Sequence, residues 1–241
     1  MTELTPLETL NSIVGLIIIV FFIYIALSLL RKYLQYKDKI LLFTAIAIVF
    51  LSLPWFPISI SFITVLLINE PLPFEIYFTM GYGVAFGMLF WILAVTNMVF
   101  QAKKTLIITL YSIYFIIMTS LFYVFLFTFP SVIGSPEGLV MVNHGIYLRI
   151  RSLIRLVILL ITGFSIWYDS KDSSSKEVKF KGIMIFLGVL FYVAGGIFFT
   201  LTNMSVFPLI FFIPSLVAIY LGFDLPDWVK KRFSSLKEDE L

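Results

Sequence analysis

Three arginines stand close together, Arg149, Arg151 and Arg155, at the start of an apolar stretch covering residues 147–168. At about 100° of turn per residue, Arg151 and Arg155 fall within about 40° of each other on a helix. Thr162 continues that face along the stretch, and His144 joins it if the helix begins early enough. A guanidinium pair offers forked donors that match a carboxylate or a phosphate, most strongly where the dielectric is low. One reading is therefore an outward-facing anion pocket built from Arg149, Arg151, Arg155 and His144, with Glu75 as the internal carboxylate competing for Arg155. The other is a snorkelling cluster that reaches lipid phosphates or pairs with Glu70, Glu75 or Glu137. His144, between Asn143 and Gly145, reads either as a titrating sensor or as a solvated loop histidine.

Other chemistries lack their residues. The chain has no cysteine and one histidine, so a thiolate nucleophile, a disulfide, a Cys-ligated metal and a paired-His zinc site are excluded. No Asp, Glu or Lys lies inside the apolar stretches away from their ends. An intramembrane carboxylate for ion coupling and a lysine for a retinal Schiff base are both missing. No convergent acid/base set is visible, so the expectation is a protein that is not an enzyme and carries no cofactor.

The elements that must position the arginines follow from composition. Of 241 residues, 61% are hydrophobic and 13% charged, about half the charge of a soluble domain. So little charge cannot cover a water-soluble globule, nor supply the broad basic face of a nucleic-acid binder. The chain reads as an integral membrane protein. Cutting it at its charges leaves apolar stretches over about 10–30, 40–67, 76–100, 105–129, 147–168, 182–202 and 206–223, each near the 20 residues that cross a bilayer. Pro54 and Pro57 bend the second stretch or end its regular part, and Pro208 and Pro214 interrupt the last. The fold class expected is all-α, a polytopic bundle of seven transmembrane helices over residues 1–223. Six is the count if the last stretch lies in the interface.

Fourteen of the seventeen Lys/Arg follow odd-numbered stretches, which places the N-terminus outside and the C-terminus in the cytoplasm of a multi-pass cell-membrane protein. The acidic start, MTELTPLE, has no basic n-region and does not read as a cleavable signal peptide. The longest outer connection, about 130–147, reads as a lid loop with a turn cluster at Gly134-Ser135-Pro136-Glu137-Gly138. Residues 224–241 read as a cytoplasmic amphipathic tail. Leu225, Trp228, Val229, Phe233 and Leu236 fall on one side of a helix there, flanked by Lys230 and Lys231 with Arg232 near the stripe, an anchor for an anionic inner leaflet.

Small residues mark close helix contacts. Thr79, Gly83 and Gly87, and Gly188 with Gly195, pack within the bundle or join two copies into a homodimer. Asn97 needs an interhelical partner or a route to the interface.

Ser-Leu-Pro-Trp-Phe-Pro at 52–57, Phe-Pro-Ser-Val-Ile-Gly at 129–134 and Leu-Gly-Phe-Asp-Leu-Pro-Asp-Trp-Val-Lys-Lys-Arg-Phe at 221–233 carry a resemblance. In these elements the chain resembles uncharacterised archaeal seven-helix membrane proteins, and its exit is similar to the end of the heptahelical sensor module of archaeal histidine kinases. The resemblance implies a seven-helix fold and assigns no activity. The expectation is a membrane sensor or receptor-like module, with lipids and an anionic small molecule or lipid as partners and a signalling partner on the cytoplasmic side. The Pro-broken second and seventh helices are its hinges. The alternative is a small-molecule or lipid carrier.

Overall fold

The computed structural model describes residues 4–202 and 206–225. Among these, six helical segments are long and apolar enough to cross a membrane, and the chain is a multi-pass membrane protein. A further apolar helix, Val206–Phe223, is shorter.

The first segment is one continuous helix, α1 (Pro6–Tyr36). Pro6 pre-sets its first turn, and Thr5 and Glu8 exchange bonds in a capping box, with Thr5 Oγ1 accepting from Glu8 N at 3.2 Å and Glu8 Oε2 accepting from Thr5 N at 2.9 Å. Lys37, left-handed at φ 55°, closes it, and Asp38 caps the next helix through Ile40 N at 2.9 Å.

The second segment is broken. α2 (Lys39–Leu51) gives way to a 3-10 turn at Leu53–Trp55, and α3 (Phe56–Ile68) continues beyond it. Pro54 and Pro57 cannot donate to the preceding turn, so the break falls where the sequence places it. The third segment is broken as well, into α4 (Phe74–Tyr82) and α5 (Val84–Met98) at Gly83. The two breaks lie against each other: a Cβ added to Gly83 would collide with the Leu53 side chain.

α6 (Lys104–Thr128) follows a 3-10 turn at Gln101–Lys103, where Lys104 Nζ donates to Asn97 Oδ1 at 2.7 Å. Asn97 thus finds its partner at the helix boundary. After the short α7 (Pro130–Ile133), the outer connection forms a β-hairpin in place of a plain loop. β1 (Gly134–Glu137) pairs antiparallel with β2 (Met141–His144), so the all-α bundle carries one small two-stranded sheet. The turn uses Gly138 at φ +80°, and the Glu8 carboxylate sits where its Cβ would be.

α8 (Ile146–Ser170), α9 (Lys176–Thr202) and α10 (Val206–Phe223) complete the bundle. They pack through glycine. Along α8 and α9 the facing pairs are Thr200 with Ser152, Gly196 with Leu156, Gly163 with Val189 and Gly182 with Ser170, one antiparallel register over four to five turns. Along α9 and α10 they are Gly195 with Phe212, Gly188 with Ile219 and Gly222 with Ile185. Gly87 lies against the α2 backbone at Ala47 and Leu51 in the same way. These small residues pack inside the bundle.

α10 is a single helix with Pro214 inside it, so the seventh stretch is not broken as its prolines suggested. It runs parallel to α1: Phe22 meets Phe212 in mid-bundle, and Lys32 Nζ reaches Asp224 Oδ1 at 3.4 Å at the end. Between them lies the core, with Trp55 edge-on to Phe212 at 4.7 Å and Trp91, Ile18, Leu29 and Ile48 fully buried around it. The anchor residues Trp228, Lys230, Lys231, Arg232 and Phe233 lie outside the described residues.

Candidate functional site

Arg149, Arg151, Arg155 and His144 line one cleft at the hairpin end of the bundle. It encloses about 660 Å³, counted out to its open mouth. Pro54 and Pro57 supply one wall from the second segment, Phe78, Gly81 and Tyr82 another from the third, and Phe199 and Thr200 the floor from α9. Both helix breaks therefore border the cleft. α8 is the element that places the arginines, and Gly145 starts it in extended conformation so that it descends directly from β2.

Each guanidinium is held differently. Arg149 is tied to the hairpin, its Nε donating to the His144 carbonyl at 2.8 Å and one terminal nitrogen to Asn143 Oδ1 at 2.7 Å. Arg151 lies over the Tyr82 ring, 3.7 Å from its centroid, a cation–π contact that spends one guanidinium face. Tyr82 is fixed in turn, donating to Thr119 Oγ1 at 3.1 Å and stacked on Phe122 at 3.9 Å. Arg155 donates through one terminal nitrogen to Ser152 Oγ at 2.8 Å, and Ser152 also meets the Thr200 hydroxyl at 3.2 Å. The Nε of Arg155 is buried and has no hydrogen-bond partner among the described residues.

Depth makes that arrangement unusual. At 1.5 Å per residue, Arg151 lies about 8 Å and Arg155 about 13 Å along α8 from its start. Charge at such depth in an apolar bundle is costly unless paired or solvated. Among the described residues the ion pairs are Lys32–Asp224 and Lys181–Glu177, neither of which involves these arginines.

The His144 ring stands edge-on to Phe78 at 6.2 Å and to Phe199 at 5.7 Å, part of the aromatic wall. Glu75 is not brought to the cleft. It shares a helical face with Tyr82 but lies seven residues, about 10 Å, nearer the start of α4, and is exposed. Glu70 and Glu137 are exposed too.

Two groups of residues matter here that sequence reading did not single out. Ser152 and Thr200 hold Arg155; the three-residue spacing of Ser152 and Arg155 was a usable signal, whereas Thr200 needed the α8–α9 register. Glu8 holds the hairpin. Its Oε1 accepts from Leu139 N at 2.6 Å and Val140 N at 3.2 Å, while its Oε2 completes the capping box, so one buried carboxylate joins the start of α1 to the hairpin tip.

No protein-family model, curated protein or solved structure compared with the chain matches it.

Proposed function

We propose that this protein is a receptor-like membrane module that binds an oxyanion, a carboxylate or a phosphate, between Arg151 and Arg155 in the outward-facing cleft. The observation that carries the reading is Arg155, whose buried Nε has no hydrogen-bond partner among the described residues while aromatic and hydroxyl side chains line the cleft around it. An anion bridging the two guanidiniums would supply the missing acceptor and neutralise charge held at depth. The Coulomb repulsion between two nearby guanidiniums turns into attraction toward the shared ligand.

In this reading α10 is the seventh span, the N-terminus is outside and the C-terminus is cytoplasmic. Its 18 residues rise about 27 Å, and its parallel course beside α1 supports that assignment. Ligand binding would act on two elements that border the cleft, the paired breaks around residues 52–56 and 83, about which α3 and α4 can tilt on α2 and α5. The hinge thus lies in the second and third segments, not in the seventh. Binding without turnover fits the lining, where the cations face hydroxyls and aromatic rings.

The test uses purified full-length protein in a neutral detergent. Acetate and octanoate are each compared with the alcohol of the same length. Head-dependent stabilisation is expected in the parent and a loss of roughly 5- to 150-fold in affinity in Arg151→Lys/Arg155→Lys, because a point charge cannot reproduce the fork. Equal responses to acids and alcohols, or equal responses in both proteins, would leave only snorkelling arginines. Saturable flux of a bound anion into proteoliposomes would make the protein a carrier instead.

A further inference from the structure

The arginines do not end the cavity. On their far side lies a second, much narrower slot between α5, α6 and α8, and Arg151 and Arg155 line both. Its remaining walls are Ala85, Met88, Phe115, Met118 and Ile158, with the rings of Tyr111 and Tyr114 toward α6. A small anion would use none of this surface.

The position of α6 shows where the second cavity leads. Of its 25 residues only Phe122 and Leu126 are buried, and Leu110, Ile113 and Ile117 present apolar side chains outward. Tyr147 at the top of α8 donates to the Met118 carbonyl and bridges α8 to α6 there. Below that bridge, successive turns place Arg151 beside Tyr114 and Arg155 beside Tyr111, with the second cavity between the helices. It is a slot bordered by the lipid-facing helix of the bundle. Methionine, which lines it twice, fits irregular hydrocarbon.

We infer that the ligand is an anionic amphiphile, with its carboxylate or phosphate head on Arg151 and Arg155 and its hydrocarbon tail in the slot between α6 and α8. The inference rests on the oxyanion reading above and adds the tail. Three features converge on it: the two cavities share the same two cations, the second is otherwise walled by aliphatic, methionine and aromatic side chains, and it borders the helix most exposed at the surface of the bundle. A soluble anion such as inorganic phosphate would enter from the hairpin side and leave the slot unused. An amphiphile can enter from the bilayer, which already holds its tail.

Chain length is the measurement that separates the two. Acetate and octanoate, and inorganic phosphate and octyl phosphate, are titrated by calorimetry against the full-length protein in neutral detergent. Each methylene removed from water strengthens binding by up to roughly fourfold, so a tail in the slot makes the long member of at least one pair bind tenfold tighter or more. Met118→Phe fills the slot, and in that variant the gain from short to long member should fall below threefold. Ile158→Phe fills it from α8 and serves if Met118→Phe does not fold. Detergent partitioning would give the same gain in every variant, and a gain that persists in both filled variants overturns the tail assignment. Equal affinities for short and long members in the parent also overturn it, while leaving the oxyanion reading intact. Failure of that reading looks different: no acid binds better than its alcohol, whatever its length.

Discussion

α8 has two faces, and they follow opposite rules. Toward α9 it packs through Gly163, Leu156, Leu159 and Ile166, with glycines of both helices letting the backbones approach. Toward α4 and α6 it presents Arg151 and Arg155 to two cavities, and among the described residues the buried Nε of Arg155 has no partner. In lipid there is no hydrophobic drive between helices, so the first face draws its stability from close van der Waals contact. The second forgoes that contact. Charge and open space beside a dense seam fit the binding role proposed above, at a local cost in stability. The comparison predicts that substitutions which cost stability in the seam should be harmless or stabilising at the cleft.

The largest effect belongs in the seam. A Cβ on Gly188 would lie 2.9 Å from both Ile219 N and Ser215 O of α10, backbone atoms that cannot swing aside. Gly188→Val should therefore cost about 3 kcal/mol or prevent folding, read as a fall in the unfolding midpoint in detergent. A loss below about 1 kcal/mol would mean that α10 moves freely on α9, and the contrast between the faces would fail.

Next in size is the latch that closes the cleft end. Removing the Glu8 carboxylate leaves the N–H groups of Leu139 and Val140 without their acceptor and dismantles the Thr5 capping box. Glu8→Ala should cost about 2–3 kcal/mol. Hydrogen exchange should rise first in residues 134–144, while the α8–α9 seam stays protected. Glu8→Gln keeps one acceptor and should cost about half as much. Uniform exchange across the bundle would show that Glu8 supports the whole fold and not the hairpin.

At the cleft the sign reverses. Arg155→Met replaces a guanidinium whose buried Nε has no partner among the described residues by an apolar chain of similar length. In the absence of ligand it should raise stability by about 1 kcal/mol, since exchanging a half-buried charge with a buried donor atom for hydrocarbon is often favourable. The same variant should lose its response to octanoate. A loss of stability comparable with that of Gly188→Val would make Arg155 a structural residue.

How much of this was legible beforehand depends on which force sets each feature. The long segments were, because charge inside hydrocarbon is costly and sequence shows where charge is. So was the break at Pro54 and Pro57, since proline lacks a donor in any context. The break at Gly83 was not: its spacing from Thr79 and Gly87 fits a packing ladder, and only the Leu53 contact shows that it abuts the second break. The hairpin was hidden because its anchor, Glu8, lies 131 residues from Leu139. Of the cleft lining, the shared face of Arg151 and Arg155 and the nearness of His144 could be read from helical geometry. Glu75 misled because periodicity gives the face of a helix but not its depth in the cleft, and Tyr82, which cradles Arg151, sat among many tyrosines with nothing local to mark it.

The smallest expected effect tests the hinge itself. Gly81 lies two residues before the break at Gly83, in the last turn of α4 beside the cleft. A Cβ there would meet only Pro57 Cγ at 3.5 Å, an ordinary contact, so alanine fits without moving either segment. Alanine also restricts the unfolded chain and favours the helix, and Gly81→Ala should raise stability by about 0.5–1 kcal/mol. The same stiffening acts on the turn about which α4 would tilt. If the paired breaks move when the arginines are occupied, the variant should show a smaller ligand-induced change in hydrogen exchange over residues 53–57 and 77–83 than the parent. An unchanged ligand response with the full gain in stability would mean that the breaks are fixed features of the wall, and that whatever the cleft transmits travels down α8 instead.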